Sequence, residues 1–213
     1  KPPSILDHLI KRMVMDYDQE LRSPRPQPIL LPSLAAEIDL DSVLNDGYGG
    51  WDGKTWQPPT ARRRWAAAPI GRLDDLLNRE QPPLLADLHG NGGHMLVVGA
   101  PGTGKTVLLR TLVMSLARLF APDEVELYLL SFAGRGLDML ENLPHVGAII
   151  HGEQGERVTR LLHRLAQERE TRAQALAQLS ADNLEQYNQR LLAATAGRRG
   201  DLSPLPFIVV VID

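Results

Sequence analysis

The sequence contains no cysteine. That excludes a disulfide framework and any thiolate metal site, and it suits a reducing compartment. No apolar run approaches the ~18 residues a membrane-spanning helix needs. The N-terminal residues lack the charged-then-apolar layout of a secretory signal. Positive charge is not in excess: 23 Lys and Arg stand against 26 Asp and Glu, a formal charge of −3. A domain that grips DNA mainly by neutralising phosphates is usually basic overall, so the balance leans against that use and leaves only a local basic patch open. Zinc-site spacing is lacking too. His145 and His151 are six apart and His89 and His94 five apart. Neither pair has the companion carboxylates of a metal site, so these read as loop or core histidines.

What is present is ordinary globular material. The 213 residues are 43% hydrophobic and 23% charged, enough for one domain with a core and an appendage. Residues 4–22 carry Ile5, Leu6, Leu9, Ile10, Met13, Val14, Tyr17 and Leu21 at helical spacing, an amphipathic helix. Ser4 can cap its start, and Pro24 and Pro26 forbid its continuation. Residues 23–60 are rich in Pro and Gly and read as a connector wrapping on a domain, with one short strand at Ile29, Leu30 and Leu31. The chain therefore divides into 1–60, helix and connector, and 61–213, the domain proper.

From residue 68 strands and helices alternate. PIGRLDD and PPLLADLHG read as a strand pair with Arg79 and Glu80 near the connecting tip. HMLVVG (94–99) reads as a buried strand, followed by a helix from Lys105 to about Leu119. VELYLLSF (125–132) and HVGAIIHG (145–152) are further strands. A long helix covers 154–179 and a shorter one 183–194. After the loop GRRGDLSP the chain closes with the strand PFIVVVID (206–213). This alternation predicts an α/β fold around a mostly parallel sheet with helices on both faces.

One stretch carries chemistry. Gly99, Ala100, Pro101, Gly102, Thr103, Gly104, Lys105 and Thr106 match GxxxxGK[ST] at every fixed position, between an expected strand and an expected helix that runs on through Val107. The glycines let backbone N–H groups turn inward as an anion nest, and the following helix points its positive end at the same place. In this motif the lysine reaches the β and γ phosphates and the hydroxyl binds Mg²⁺. Asp213 ends an apolar strand, where ligands of open α/β sheets sit, and would stand beside Thr106 as a second Mg²⁺ contact. Lys105 and Asp213 are thus the candidate catalytic groups. The nucleotide site runs from Gly99 to Val107, and the Mg²⁺ pair is Thr106 with Asp213. A water-positioning residue that follows Asp213 directly would lie beyond the sequence, which reads as a fold cut at this strand.

These residues resemble the FtsK/SpoIIIE family of ring-forming ATPases. Within it they look most like the ATPase modules of EccC, a subunit of type VII secretion systems. The likeness covers residues 27–213. It rests on QPILLPSL with IDLDSVL, on APIGRLDD with PPLLADLHGNGGHMLVVGAPGTGKTVLLRTLVMSLA, on LYLLSFAGRGLDMLENLPHVGAII, and on the terminal VVVID. The resemblance implies a RecA-like fold, ATP and Mg²⁺ as cofactors, and a ring or series of such modules. It also implies a place at the cytoplasmic face of the membrane within a larger anchored protein. The implied partners are neighbouring modules, small helical export substrates of the WXG100 type and the membrane secretion complex. FtsK relatives instead pump duplex DNA, which makes a DNA translocase the alternative. Family members with a working site often carry an acidic residue and a lysine in the segment that here reads Ser131, Phe132, Ala133 and Gly134. This departure is like a downstream EccC module. It implies binding without implying hydrolysis, so a module that holds nucleotide as structural glue is a further alternative. In this family the strand beside the phosphate-loop strand can come from sequence after the terminal aspartate, which implies a gap there.

Other candidates have plainer readings. The basic run Arg62, Arg63, Arg64 and Trp65 reads first as a solvated face and second as a DNA contact. Arg135, Arg169 and Arg172 could reach a neighbouring site in a ring, though exposed helix or loop charge is the simpler reading. Trp51 and Trp56 read as plugs on the domain's own surface. The N-terminal helix reads as an intrachain packing element, with a stripe that would also suit docking on a preceding module.

Overall fold

The computed structural model describes residues 4–20, 31–45, 47–58, 60–89, 93–195 and 203–213. The helix predicted from residue 4 is α1, Ile5–Glu20. Ser4 and Asp7 cap it reciprocally. The Ser4 hydroxyl accepts from the Asp7 N–H at 3.1 Å, and the Asp7 carboxylate accepts from the Ser4 N–H at 2.8 Å. Such a closed box satisfies orphan donors of the first turn. Its apolar stripe is exposed, with Ile5 at 83% and Met13 at 71%. No packing role for it is seen among the described residues. The prolines predicted to end it, and Ile29 and Leu30 of the predicted short strand, lie outside the described residues.

The connector holds more structure than its composition suggests. α2 (Leu40–Leu44) buries Val43 and Leu44. β1 (Gly50–Trp51) and β2 (Trp56–Gln57) form a small antiparallel hairpin. Gly50 passes so close to the end of the next helix that a Cβ there would collide with the Arg118 carbonyl. Trp56 donates from its indole to the Ala117 carbonyl at 3.0 Å and lies 4.4 Å from Trp51, centroid to centroid. Both tryptophans are packing groups, as expected.

β3 (Ala67–Arg72) and β4 (Pro83–Asp87) form the predicted hairpin, antiparallel with an irregularity between Pro69 and Gly71. It lies on one side of α3 (Lys105–Leu119), where the buried Ser115 hydroxyl donates to the Pro69 carbonyl at 2.7 Å. On the other side of α3 is the central sheet. It consists of β5 (Val125–Ser131), β6 (Val146–His151) and β7 (Phe207–Ile212), all parallel, in the order β6-β5-β7. Alternation along β5 divides the core. Val125, Leu127 and Leu129 join Leu112, Val113 and Leu116 of α3, together with Val209 and Val211. Leu130 turns the other way, to Ile150 and to Leu161 of α4 (Gly155–Gln178). A helix therefore lies against each face of this all-parallel sheet, while on β7 Val210 and Ile212 stay exposed. α5 (Leu184–Thr195) buries Tyr187 and Leu191.

One expected element is absent. Residues 94–99 form no strand, and Leu96 is 87% and Val98 84% exposed. The physical reason is pairing. A strand exists through hydrogen bonds to a neighbour, and no described strand pairs with this segment, whatever its β-propensity.

The basic run divides: Arg63 and Trp65 are absorbed into packing, while Arg62 and Arg64 are exposed. Arg63 holds Glu124 with two bonds of 2.5 Å and 3.0 Å, donates to the Leu119 carbonyl at 2.8 Å and stacks over Phe120. Arg64 pairs with Asp87 at 2.8 Å. Trp65 packs edge-on against Phe120 and Phe207. His145 is a core histidine: one ring nitrogen bonds the Phe120 carbonyl at 2.8 Å and the other is buried without a partner. Burial holds its pKa below the usual imidazole value, outweighing the opposite pull of the Phe120 carbonyl and of Glu124.

Candidate phosphate and metal site

The loop before α3 folds on itself. Thr103 turns back, its hydroxyl donating to the Ala100 carbonyl at 2.8 Å. Gly102 and Gly104 have φ of +79° and +90°, a region side chains rarely enter. Gly104 precedes α3 with no side chain capping its first turn. The free N–H groups of that turn and the helix dipole favour an anion at this end. Lys105 folds over the loop, its ammonium donating to the carbonyls of Gly99 and Ala100 at 3.0 Å and 2.9 Å. The loop is exposed while Lys105 and Thr106 are half-buried, and Val107 is 58% exposed.

Asp213 reaches this place through β7. Its N–H donates to the Leu130 carbonyl at 2.9 Å, continuing the ladder to β5. Its own carbonyl accepts from the N–H groups of Phe132 and Ala133 at 2.8 Å and 3.2 Å. The main chain is thereby fixed, and the carboxylate meets Thr106. The Thr106 hydroxyl lies 3.1 Å from Oδ1 and 3.0 Å from Oδ2. Both are hard oxygen donors of the type Mg²⁺ takes. A separation of 3.0 Å is also about the edge of an octahedron with bonds of ~2.1 Å. The residues fit the ion: two donors 107 positions apart in sequence stand as neighbours beside an anion-binding loop.

The arginine candidates separate. Arg172 is built into the fold, donating to Glu168 at 2.7 Å and to the Pro206 carbonyl at 2.5 Å. Arg169 is exposed on α4. Arg135 is exposed and lines a cavity of about 480 Å³ at β6, together with Asp138, Glu141 and His151. His151 and Asp138 are 3.5 Å apart, and His89 and Glu185 3.6 Å. Among the described residues no cluster of three metal-ligating side chains occurs.

Sequence reasoning missed Arg110 and Gly136. Arg110 donates from Nε to the Gly136 carbonyl at 2.6 Å, and Gly136 lies against Thr106. The available signal was spacing: Arg110 sits four residues after Thr106, on the same face of α3.

A family model described as the FtsK/SpoIIIE family matches residues 55–213. The ESX secretion system protein EccC of Thermomonospora curvata is 35% identical over 194 residues, covering 88% of this chain and 14% of that protein. The ESX-4 secretion system protein EccC4 of Mycobacterium tuberculosis is 30% identical over 200 residues, covering 94% of this chain and 15% of that protein. The chain thus spans only a small part of these relatives. Among solved structures, the cytoplasmic domain of the Thermomonospora curvata type VII secretion ATPase EccC superposes with TM-score 0.73 at 30% identity, covering 100% of this chain and 24% of that one. The same organism's EccC (ATPases 2 and 3), in complex with a signal sequence peptide, gives TM-score 0.62 at 32% identity, covering 78% of this chain and 29% of that one.

Proposed function

The chain belongs to the FtsK/SpoIIIE family, and we propose that it is an ATP-binding module of a type VII secretion ATPase. The observation that carries this is the Thr106–Asp213 pair, 3.0 Å apart at the start of a helix entered through a glycine loop. Residues 99–107 would hold ATP, with the backbone N–H groups of the loop available to its phosphates. The Lys105 ammonium leaves the carbonyls of Gly99 and Ala100 to neutralise phosphate charge. Thr106 and Asp213 would hold Mg²⁺, which would supply positive charge to the phosphate oxygens.

The relatives support a larger role. The module spans residues 61–213, with 1–60 as helix and connector. It couples nucleotide binding to its packing against neighbouring ATPase modules. The cargo is a small helical protein of the WXG100 type, passed to a membrane secretion complex at the cytoplasmic face. The EccC relatives and the peptide-bound EccC structure support protein export over DNA pumping. The absorption of Arg63 and Trp65 into packing supports it as well. Among the described residues no helix is long and apolar enough to cross a membrane.

The test is fluorescence anisotropy of a labelled ATP analogue and of a labelled DNA duplex, each titrated with the full chain at low and moderate salt. Binding of the analogue without binding of the duplex is expected. Duplex binding that weakens with salt and responds to ATP would overturn the export reading.

A further inference from the structure

The loop between β5 and the 3₁₀ turn at Asp138–Leu140 grips both members of the Thr106–Asp213 pair. At its near end the N–H groups of Phe132 and Ala133 hold the Asp213 carbonyl, and the Ser131 hydroxyl donates to the Gly134 carbonyl at 2.5 Å. At its far end Gly136 runs against Thr106. A Cβ on Gly136 would stand 2.6 Å from the Thr106 methyl, 3.3 Å from Arg110 Nη2 and 3.7 Å from Asp213 Oδ2. Threonine is stiff about χ1 because two heavy atoms branch from its Cβ. With the Gly136 backbone packed on the methyl, the hydroxyl is left facing the carboxylate.

What holds Gly136 there is Arg110. Its Nε donates to the Gly136 carbonyl at 2.6 Å. Side chains on a helix lean toward its N-terminus, so a residue four positions after Thr106 lies over it.

We propose that Arg110 is a positioning residue: by clasping Gly136 it fixes loop 132–137 on Thr106 and so presents the Thr106 hydroxyl and the Asp213 carboxylate together to Mg²⁺. The proposal rests on the reading of this loop as an ATP site. Arg110 touches neither the ion nor the nucleotide. Its effect appears in the Mg²⁺-dependent part of nucleotide binding and not in the Mg²⁺-free part.

The experiment titrates Mg²⁺ into the full chain with a labelled ATP analogue, starting from chelator. Arg110→Met keeps the aliphatic packing without the donor. Arg110→Lys keeps a cationic donor for the Gly136 carbonyl. Gly136→Ala pushes on the Thr106 methyl from the other side of the same contact. Arg110→Met and Gly136→Ala are expected to raise the Mg²⁺ midpoint by ~10-fold, the low end for outer partners of a metal ligand. Affinity in chelator should stay within about two-fold of wild type, while Arg110→Lys recovers most of the loss. A merely structural role would lower both affinities together, and that result overturns the proposal. So does an unchanged Mg²⁺ midpoint in Arg110→Met. Wild-type protein that binds no analogue at any Mg²⁺ concentration overturns the ATP reading and the clasp together. Binding with an indifferent Arg110 overturns the clasp alone.

Discussion

Two segments of this chain read alike and fold differently. VELYLLS at 125–131 and HMLVVG at 94–99 are both short apolar runs of strand-forming residues. The first is β5, flanked by β6 and β7, with Val125, Leu127 and Leu129 all at 0% exposure. The second has no described strand beside it, and Leu96 is 87% exposed. The difference is a matter of neighbours. Burial of an apolar strand stabilises only where other elements supply the hydrogen bonds and the covering side chains. The phosphate loop hangs from the less supported segment. It leads straight into α3, whose Thr106 meets Asp213.

The largest expected effect breaks the supported segment. Leu127→Ala removes a fully buried side chain and should cost about 2–5 kcal/mol by denaturant unfolding. A cost under ~1 kcal/mol would mean that the sheet centre is loosely packed.

Next comes the entry to β5, where Arg63 is 5% exposed and bonded to Glu124. Arg63→Ala leaves that carboxylate without its partner and should destabilise by about 3 kcal/mol. Arg64→Ala, whose side chain is 62% exposed, should cost less than ~1 kcal/mol. Equal effects would return the basic run to the surface.

A smaller effect concerns His145, whose carbonyl bonds Leu127 of β5. Its folded pKa is lowered by burial, so below about pH 6.5 the unfolded chain binds a proton that the folded one resists. Stability should fall on acidification from about pH 6.5 down to the folded pKa and be independent of this group above about pH 6.5. His145→Gln should flatten the slope measured by thermal unfolding between pH 7 and 5. An unchanged slope would assign it to other groups.

The smallest effect completes the contrast. Leu96→Ala should shift stability by no more than ~0.5 kcal/mol. A loss as large as that of Leu127→Ala would show the segment to be packed in solution.

Much of this was legible in the sequence because local signals agreed. The limits of α3, β5, β6 and β7 fell within a residue or so of their patterns, since periodicity, turn residues and burial pointed the same way. The pairing of Thr106 with Asp213 was readable because a phosphate loop and a strand-end aspartate converge at the same end of a parallel sheet. Three things were not legible. The hairpin at Gly50–Trp51 and Trp56–Gln57 is held by α3, a contact that no local pattern encodes. The fate of 94–99 depends on a neighbour rather than on its own residues. Arg63 looked solvated because a charge run carries no mark of the half-buried partner, Glu124, that one of its members finds.

The most direct test of the central claim is an equilibrium titration of a labelled ATP analogue, with Mg²⁺ present, into wild type and Lys105→Ala. Removing a charged donor from the phosphates should weaken binding by about ten-fold or more. Saturable wild-type binding that Lys105→Ala reduces by that factor is the predicted result. Equal affinity in the two proteins, or no wild-type binding, would contradict the assignment of this loop as the nucleotide site.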